Sequence, residues 1–219
     1  MIVLKDVGVK YGEKVVYEHF NLNIEEGEIA CILGESGCGK TTLLNAIAGI
    51  KEHTGEIPAL TCSYVFQTPR LVPNLTVKGN LNLVCKDSAR VEKLLEMTCL
   101  SDKADSYPVQ LSGGEAQRVS LARAFAFDGR LLLMDEPFSS LDLKLKISIM
   151  EQFKTLQREA KRCALFVTHD VDEALYLADR IIVMHGGKAV WDAPNADKCE
   201  YGGQSKLRPG LIAKLLEEN

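Results

Sequence analysis

Between residues 34 and 41 the chain reads GESGCGKT, a run of glycines closed by a lysine and a hydroxyl. Gly34, Gly37 and Gly39 permit backbone angles and a closeness of approach that side chains forbid. Successive N–H groups, including those of Glu35, Ser36 and Cys38, can therefore turn into one concavity that fits a chain of phosphates. A helix beginning here adds the positive end of its dipole. Lys40 supplies a mobile cation for the β and γ phosphates, and the Thr41 hydroxyl, with Thr42 behind it, is placed to ligate Mg²⁺. Glycines alone would make an ordinary turn. The full spacing, with the apolar GEIACIL (27–33) before it and the helical KTTLLNAIAGI (40–50) after it, argues for a phosphate loop.

A phosphate-bound Mg²⁺ also needs a carboxylate. LLLMDEP (131–137) ends a greasy run with two, at the strand end where open parallel sheets gather ligands. Asp135 is assigned to the metal, through water, and Glu136 to orienting and polarising an attacking water. Adjacent carboxylates at a strand end are often only solvated loop residues; the loop at 34–41 tips the choice toward function.

The elements that must hold these residues follow from periodicity. Phe20, Leu22 and Ile24 alternate with polar neighbours, so the first thirty residues predict an antiparallel sheet. SYVF (63–66) is a further short strand. TPRLVPNLTVKGN (68–80) then changes the pattern with two prolines and a glycine, and ARVEKLLEMTCL (89–100) has helical spacing. Residues 115–127 continue as a helix, with Val119, Ala122 and Ala126 on one face and Ser112 as its N-cap. After RLLLMDEP come a helix over 143–160, the strand ALFVT, a helix over 171–178 and the strand IIVMHGG. Such alternation predicts an α/β fold with a mostly parallel sheet and helices on its faces.

With LSGGE added at residues 111–115, the chain resembles the ATP-binding subunit of an ABC (ATP-binding cassette) transporter over nearly its whole length. The motifs stand in the family's order: Walker A at 34–41, a Q-loop glutamine at Gln67, the signature at 111–115, Walker B at 131–136, a D-loop SSLD at 139–142 and a switch histidine at His169. The resemblance implies a P-loop NTPase fold, with a RecA-like sheet, an N-terminal antiparallel β subdomain and an inserted helical subdomain. Residues 1–219 would form one ABC ATPase domain, with 1–67 and 128–219 as nucleotide-binding core and 68–127 as the helical subdomain that carries the signature.

Each implied role has a physical basis. Ser112, Gly113 and Gly114 offer a hydroxyl, bare backbone and a helix dipole, a second anion site. In the family that site closes on the γ-phosphate held by the opposite subunit, so two copies would sandwich two nucleotides head to tail, with Asp142 connecting the sites. His169 would hydrogen-bond the γ-phosphate and hold Glu136 and the water in place. Gln67 would touch Mg²⁺ or the water. Tyr11 would stack on adenine, although a turn tyrosine packing locally explains it equally. Leu71, Val72 and Leu75 would line a groove for a permease helix, or pack within the helical insertion.

The expected function is MgATP hydrolysis with Glu136 as base, coupled to solute transport by a separate membrane permease, the expected partners being that permease, a second copy and a solute-binding protein. DEPFSSLD and YPVQLSGGE look most like importer ATPases of the nitrate, sulfonate and taurine type, and the short tail after IIVMHGGKAVW leaves no room for the regulatory domain of sugar importers. Small lipoprotein-releasing and peptide-exporting ABC ATPases share the glutamate of LSGGE, and a soluble iron-sulfur assembly ATPase is the alternative from another class. A small-molecule P-loop kinase leaves LSGGE and His169 unexplained.

Composition sets the outer bounds. At 219 residues, 46% hydrophobic and 26% charged, the chain is a folded protein with one sizeable core. A net charge of −4 argues against broad nucleic-acid binding. Its apolar runs are far shorter than the about 20 residues of a spanning helix. The charged N-terminus reads as cytosolic, and with a permease partner this means peripheral attachment at the cytoplasmic side of the cell membrane. Seven cysteines without a CxxC pair predict neither disulfides nor zinc, only small buried apolar residues. Cys38 is the exception: loop N–H groups and Lys40 would lower its thiol pKa.

Overall fold

A computed structural model describes residues 1–139, 141–196 and 198–216, without the side chain of Tyr11. The chain opens with β1 (Ile2–Tyr11) and β2 (Lys14–Ile24), paired antiparallel from Ile2↔Ile24 to Tyr11↔Lys14. The alternation that predicts this hairpin buries Leu4, Val7, Val9, Phe20, Leu22 and Ile24 on one face. β3 (Ile29–Leu33) is buried throughout, and the glycine loop leads from it into α1 (Lys40–Ile47). The short β4 (Thr54–Glu56) returns to pair with β1 and completes a three-stranded sheet in the order β2-β1-β4.

β5 (Cys62–Val65) is followed by the helices α2 (Val77–Asn82), α3 (Ser88–Met97) and α4 (Gly113–Ala126). Their starts are written in the sequence as N-caps: Thr76 accepts from Gly79 N, Asp87 from Ala89 N and Arg90 N, and Ser112 from Glu115 N. β6 (Leu131–Asp135), α5 (Leu143–Ala160), β7 (Cys163–Thr168), α6 (Val171–Leu177) and β8 (Arg180–His185) restore the α/β alternation.

Among the described residues the main sheet has six strands in the order β5-β6-β7-β3-β8, parallel throughout, with β9 (Lys188–Pro194) added antiparallel at the edge. Because side chains alternate across a strand, the sheet divides the interior into two cores. Cys31, Leu33, Leu132, Met134, Phe166 and Val183 face α4, α5 and α6. Ala30, Ile32, Leu133, Leu165, Val167 and Ile182 face α1 and the antiparallel sheet. The glycine loop and the ends of β6 and β7 thus meet at one edge, held by strands buried on both faces.

Two expectations need correction. The stretch after Trp191 is more than a short tail: β9, which begins at Lys188, runs on to Pro194 at the sheet edge, and α7 (Arg208–Leu216) buries Leu211 in the larger core. An exposed, charged edge strand carries little apolar signal, which hid it from periodicity. The cysteines are all free, but not all buried, since Cys99 is exposed. Among the described residues no helix is long and apolar enough to cross a membrane.

Candidate active site

The loop is pinned at both ends. Gly34 N donates to the Thr168 carbonyl at 3.2 Å, which ties the loop to the end of β7. A Cβ on Gly34 would lie 2.6 Å from the Met184 carbonyl oxygen, so the strand-to-loop corner accepts only hydrogen there. Gly39 has φ 105°, and a Cβ on it would come within 2.8 Å of Tyr17 Oη. Tyr17 was not among the sequence candidates. The alternation of Phe20, Leu22 and Ile24 leaves position 17 out of phase with the apolar face, and the register shift between the Val7 and Val9 pairs turns its ring inward as the floor under Gly39.

Lys40 is buried, and its ammonium donates to the carbonyls of Gly34 (2.8 Å) and Glu35 (2.7 Å). Glu35 and Ser36 are exposed, Gly37 is left-handed at φ 84°, and Thr42 is half-buried behind the loop. Thr41 Oγ1 donates to Asp135 Oδ1 at 2.9 Å, bringing together two of the three groups assigned to the metal. Burial raises the Asp135 carboxyl above its ordinary range; the Thr41 hydroxyl opposes the rise and the Glu136 charge adds to it.

Glu136 is the meeting point. Its backbone is left-handed (φ 41°), unusual for a residue with a side chain, and its N–H donates to the Val167 carbonyl at 3.1 Å. Gln67 Nε2 donates to Glu136 Oε2 at 3.3 Å, and His169 Nδ1 stands 3.2 Å from the same oxygen. Lys40 Nζ lies 3.9 Å from Oε1. Ser139 joins the group, accepting from Gln67 Nε2 at 3.3 Å and donating to the Glu136 carbonyl at 3.0 Å. A carboxylate so surrounded can accept a proton from a water while its own position is fixed by amide, imidazole and ammonium.

The donor set suits MgATP. Hydroxyl and carboxylate oxygens are the hard ligands Mg²⁺ takes, and such sites supply only one or two carboxylates because phosphate and water complete the shell. The glycines leave room a Cβ would fill, and the buried ammonium matches a polyphosphate.

The signature stands apart from this cluster. Ser112 caps α4, and Gly114 is packed so closely on α5 that a Cβ would lie 2.1 Å from Leu145 Cδ2. A Cβ on Gly113 would meet nothing within 4 Å. Among the described residues no hydrogen bond or ion pair joins Ser112, Gly113 or Gly114 to the loop or to Glu136. Leu71 is half-buried against the larger core. The side chain of Tyr11 and the residue Ser140 of SSLD lie outside what the structure describes.

The Cys38 expectation is reversed. Burial raises its thiol pKa and outweighs the Lys40 charge and the loop N–H groups, which pull downward.

Comparison with known proteins agrees with this geometry. The family described as ABC transporter matches residues 17–139. An aliphatic sulfonates import ATP-binding protein of Paraburkholderia xenovorans (strain LB400) is 47% identical over 184 residues, covering 82% of this chain and 74% of that protein. An Fe(3+) ions import ATP-binding protein of Rhizobium meliloti (strain 1021) is 43% identical over 188 residues, covering 76% of this chain, which spans only 48% of that relative's length. The dimeric structure of a bacterial ABC transporter cassette superposes with a TM-score of 0.79 at 33% identity, covering 89% of this chain and 99% of the cassette. Phosphate loop, paired carboxylates and overall architecture thus converge with sequence similarity on one conclusion: the chain belongs to the ABC transporter family and carries its ATPase cassette.

Proposed function

We propose that the chain is the ATP-hydrolysing subunit of an ABC importer, working as a head-to-tail homodimer on a separate membrane permease. The observation that carries this reading is the convergence of Gln67 and His169 on one oxygen of Glu136, 3.3 and 3.2 Å away, beside the phosphate loop. Relatives named for the import of sulfonates and of Fe(3+) support import as the direction.

In this reading residues 1–67 and 128–219 form the nucleotide-binding core and 68–127 the helical subdomain. The glycine loop, from Gly34 through Thr42, binds the phosphates of ATP, and Tyr11 stacks on its adenine. Thr41, Asp135 and, across the cleft, Gln67 would hold Mg²⁺, which when bound neutralises phosphate charge. Glu136 accepts the proton of the attacking water. His169 and Gln67 keep its carboxylate aimed, and Lys40 holds the transferring phosphate, so the barrier is lowered by placement and fixed charge. Ser112, Gly113 and Gly114 of one copy complete the pocket of the other. ATP binding would close the dimer and hydrolysis release it, with the permease seated near Leu71 and Leu75 at the cytoplasmic face of the membrane and a solute-binding protein delivering cargo.

The test is sedimentation of the Glu136→Gln variant with and without MgATP, followed by pull-down from solubilised membranes. Nucleotide-dependent dimers and a co-purifying permease are expected. A variant that stays monomeric at saturating MgATP, with or without membrane protein, overturns the reading.

A further inference from the structure

The signature's glutamate already occupies the donors of its own serine. Ser112 N donates to Glu115 Oε2 at 2.8 Å, and Ser112 Oγ donates to the same oxygen at 2.9 Å while accepting from Glu115 N at 3.3 Å. A serine hydroxyl has a single hydrogen, and here it is spent on a carboxylate of the same helix turn. These two bonds, backbone first, hold the Glu115 carboxyl below its ordinary range, so it is ionised at neutral pH. The other oxygen, Oε1, lies 3.8 Å from Lys103 Nζ, on the 3₁₀ turn Ser101–Lys103 of the same helical region. Arg118, one turn further along α4, adds positive charge.

A serine followed three residues later by glutamate is an ordinary capping box, and glutamine serves that purpose as well. The cap therefore requires no charge at position 115. In the proposed dimer, however, the Ser112 hydroxyl must donate to a γ-phosphate, itself an anion, brought by the other copy. Carboxylate and phosphate then compete for one hydrogen, and they repel each other at close range.

We infer that Glu115 acts as a built-in stand-in for the partner's γ-phosphate, a positioning residue that keeps the signature self-occupied and sets the nucleotide level at which two copies engage. When the hydroxyl turns to the phosphate, Glu115 keeps the Ser112 N–H and shifts its charge toward Lys103, so Lys103 acts as the receiving cation. This rests on the head-to-tail reading above and adds a threshold to it.

The experiment measures the MgATP concentration for half-maximal dimerisation by analytical ultracentrifugation, in full-length chains carrying Glu136→Gln. Adding Glu115→Gln, which keeps the cap, should lower that midpoint about tenfold, equivalent to about 1.4 kcal/mol. Adding Lys103→Met should raise it in the Glu115 chain and leave it within twofold in the Glu115→Gln chain, because the receiving role exists only for a charged partner. In chains with Glu136 intact, Glu115→Gln should lower the KM for ATP and leave kcat within about twofold, a split that mere loss of packing would not give. An unchanged or raised midpoint in Glu115→Gln, with Ser112→Ala still abolishing dimers, overturns the stand-in while the dimer reading survives. Dimers unaffected by Ser112→Ala overturn the dimer reading, and the stand-in falls with it.

Discussion

Glu136 and His169 face each other at 3.2 Å, Oε2 to Nδ1, from the ends of two adjacent parallel strands. β6 and β7 run in register from Leu131↔Cys163 to Asp135↔Val167, so the residues just past each strand are delivered side by side. The Glu136 N–H donates to the Val167 carbonyl and turns its backbone into the left-handed region, which directs the carboxylate across toward His169 and Gln67.

The first prediction concerns that carboxylate. Glu136→Gln preserves its shape and removes the proton acceptor, so turnover should fall roughly 10²- to 10⁴-fold. ATP affinity, read by equilibrium dialysis or a fluorescent analogue, should be retained. Turnover equal to that of the parent would remove Glu136 from the role of base.

Gly39→Ala tests the floor of the loop. At φ 105°, with Tyr17 Oη and Val16 Cγ1 each 2.8 Å from the new Cβ, the loop must move or β2 must yield. Backbone strain of about 1–3 kcal/mol is expected, and with the loop displaced ATP affinity should fall at least about tenfold. Calorimetric titration and a thermal melt on the same sample separate the two effects.

Lys146 pairs with two carboxylates of the segment that follows His169. Its ammonium lies 2.9 Å from Asp170 Oδ2 and 2.8 Å from Glu173 Oε1, and Glu173 is only 1% exposed. Lys146→Met would leave that carboxylate buried without its cation, at a cost of about 3–5 kcal/mol. Burial holds the Glu173 carboxyl above its ordinary range even beside Lys146. A raised folded value means that protonation favours the folded state, so the variant should be less unstable near about pH 5 than near pH 8.

Asp170 titrates in the opposite sense. Burial alone would raise its carboxyl, but hydrogen bonds from Lys146 and Tyr201, with the Lys146 charge, bring it below the ordinary range. The stabilisation is present above the unfolded-state value of about 3.9 and is lost as pH falls through the lower folded value. Urea melts across that window should show the parent losing more stability in acid than Asp170→Asn.

Cys38 gives a kinetic prediction. With its thiol raised by burial, iodoacetamide should react more slowly than with an exposed cysteine at neutral pH and faster as pH rises. Once alkylated, the loop should no longer bind nucleotide. Rapid alkylation at neutral pH, or unimpaired ATP binding by the modified chain, would contradict this.

Much of this architecture is legible in the sequence alone. The helix read over 143–160 is α5 at Leu143–Ala160, because its Asp142 cap and apolar spacing are local signals. ALFVT and LLLMD are strands because mostly apolar runs of this length between helical patterns are too short for a buried helix and suit a buried strand. β9 and α7 escaped, since an edge strand and a terminal helix bury little. Tyr17 escaped as a loop contact because its importance lies in what packs above it.

The sequence by itself determined the chemistry: which residues can cradle phosphate, hold a hard cation and take a proton, and the order of the strands and helices that carry them. These follow from residue type and spacing, which are local properties. Only the tertiary structure decided that Gln67 and His169 meet on one oxygen of Glu136, that Cys38 is desolvated beyond the reach of Lys40, and that Glu115 holds the Ser112 hydroxyl. Each of these depends on burial or on distance between atoms, and neither quantity exists until the chain has folded.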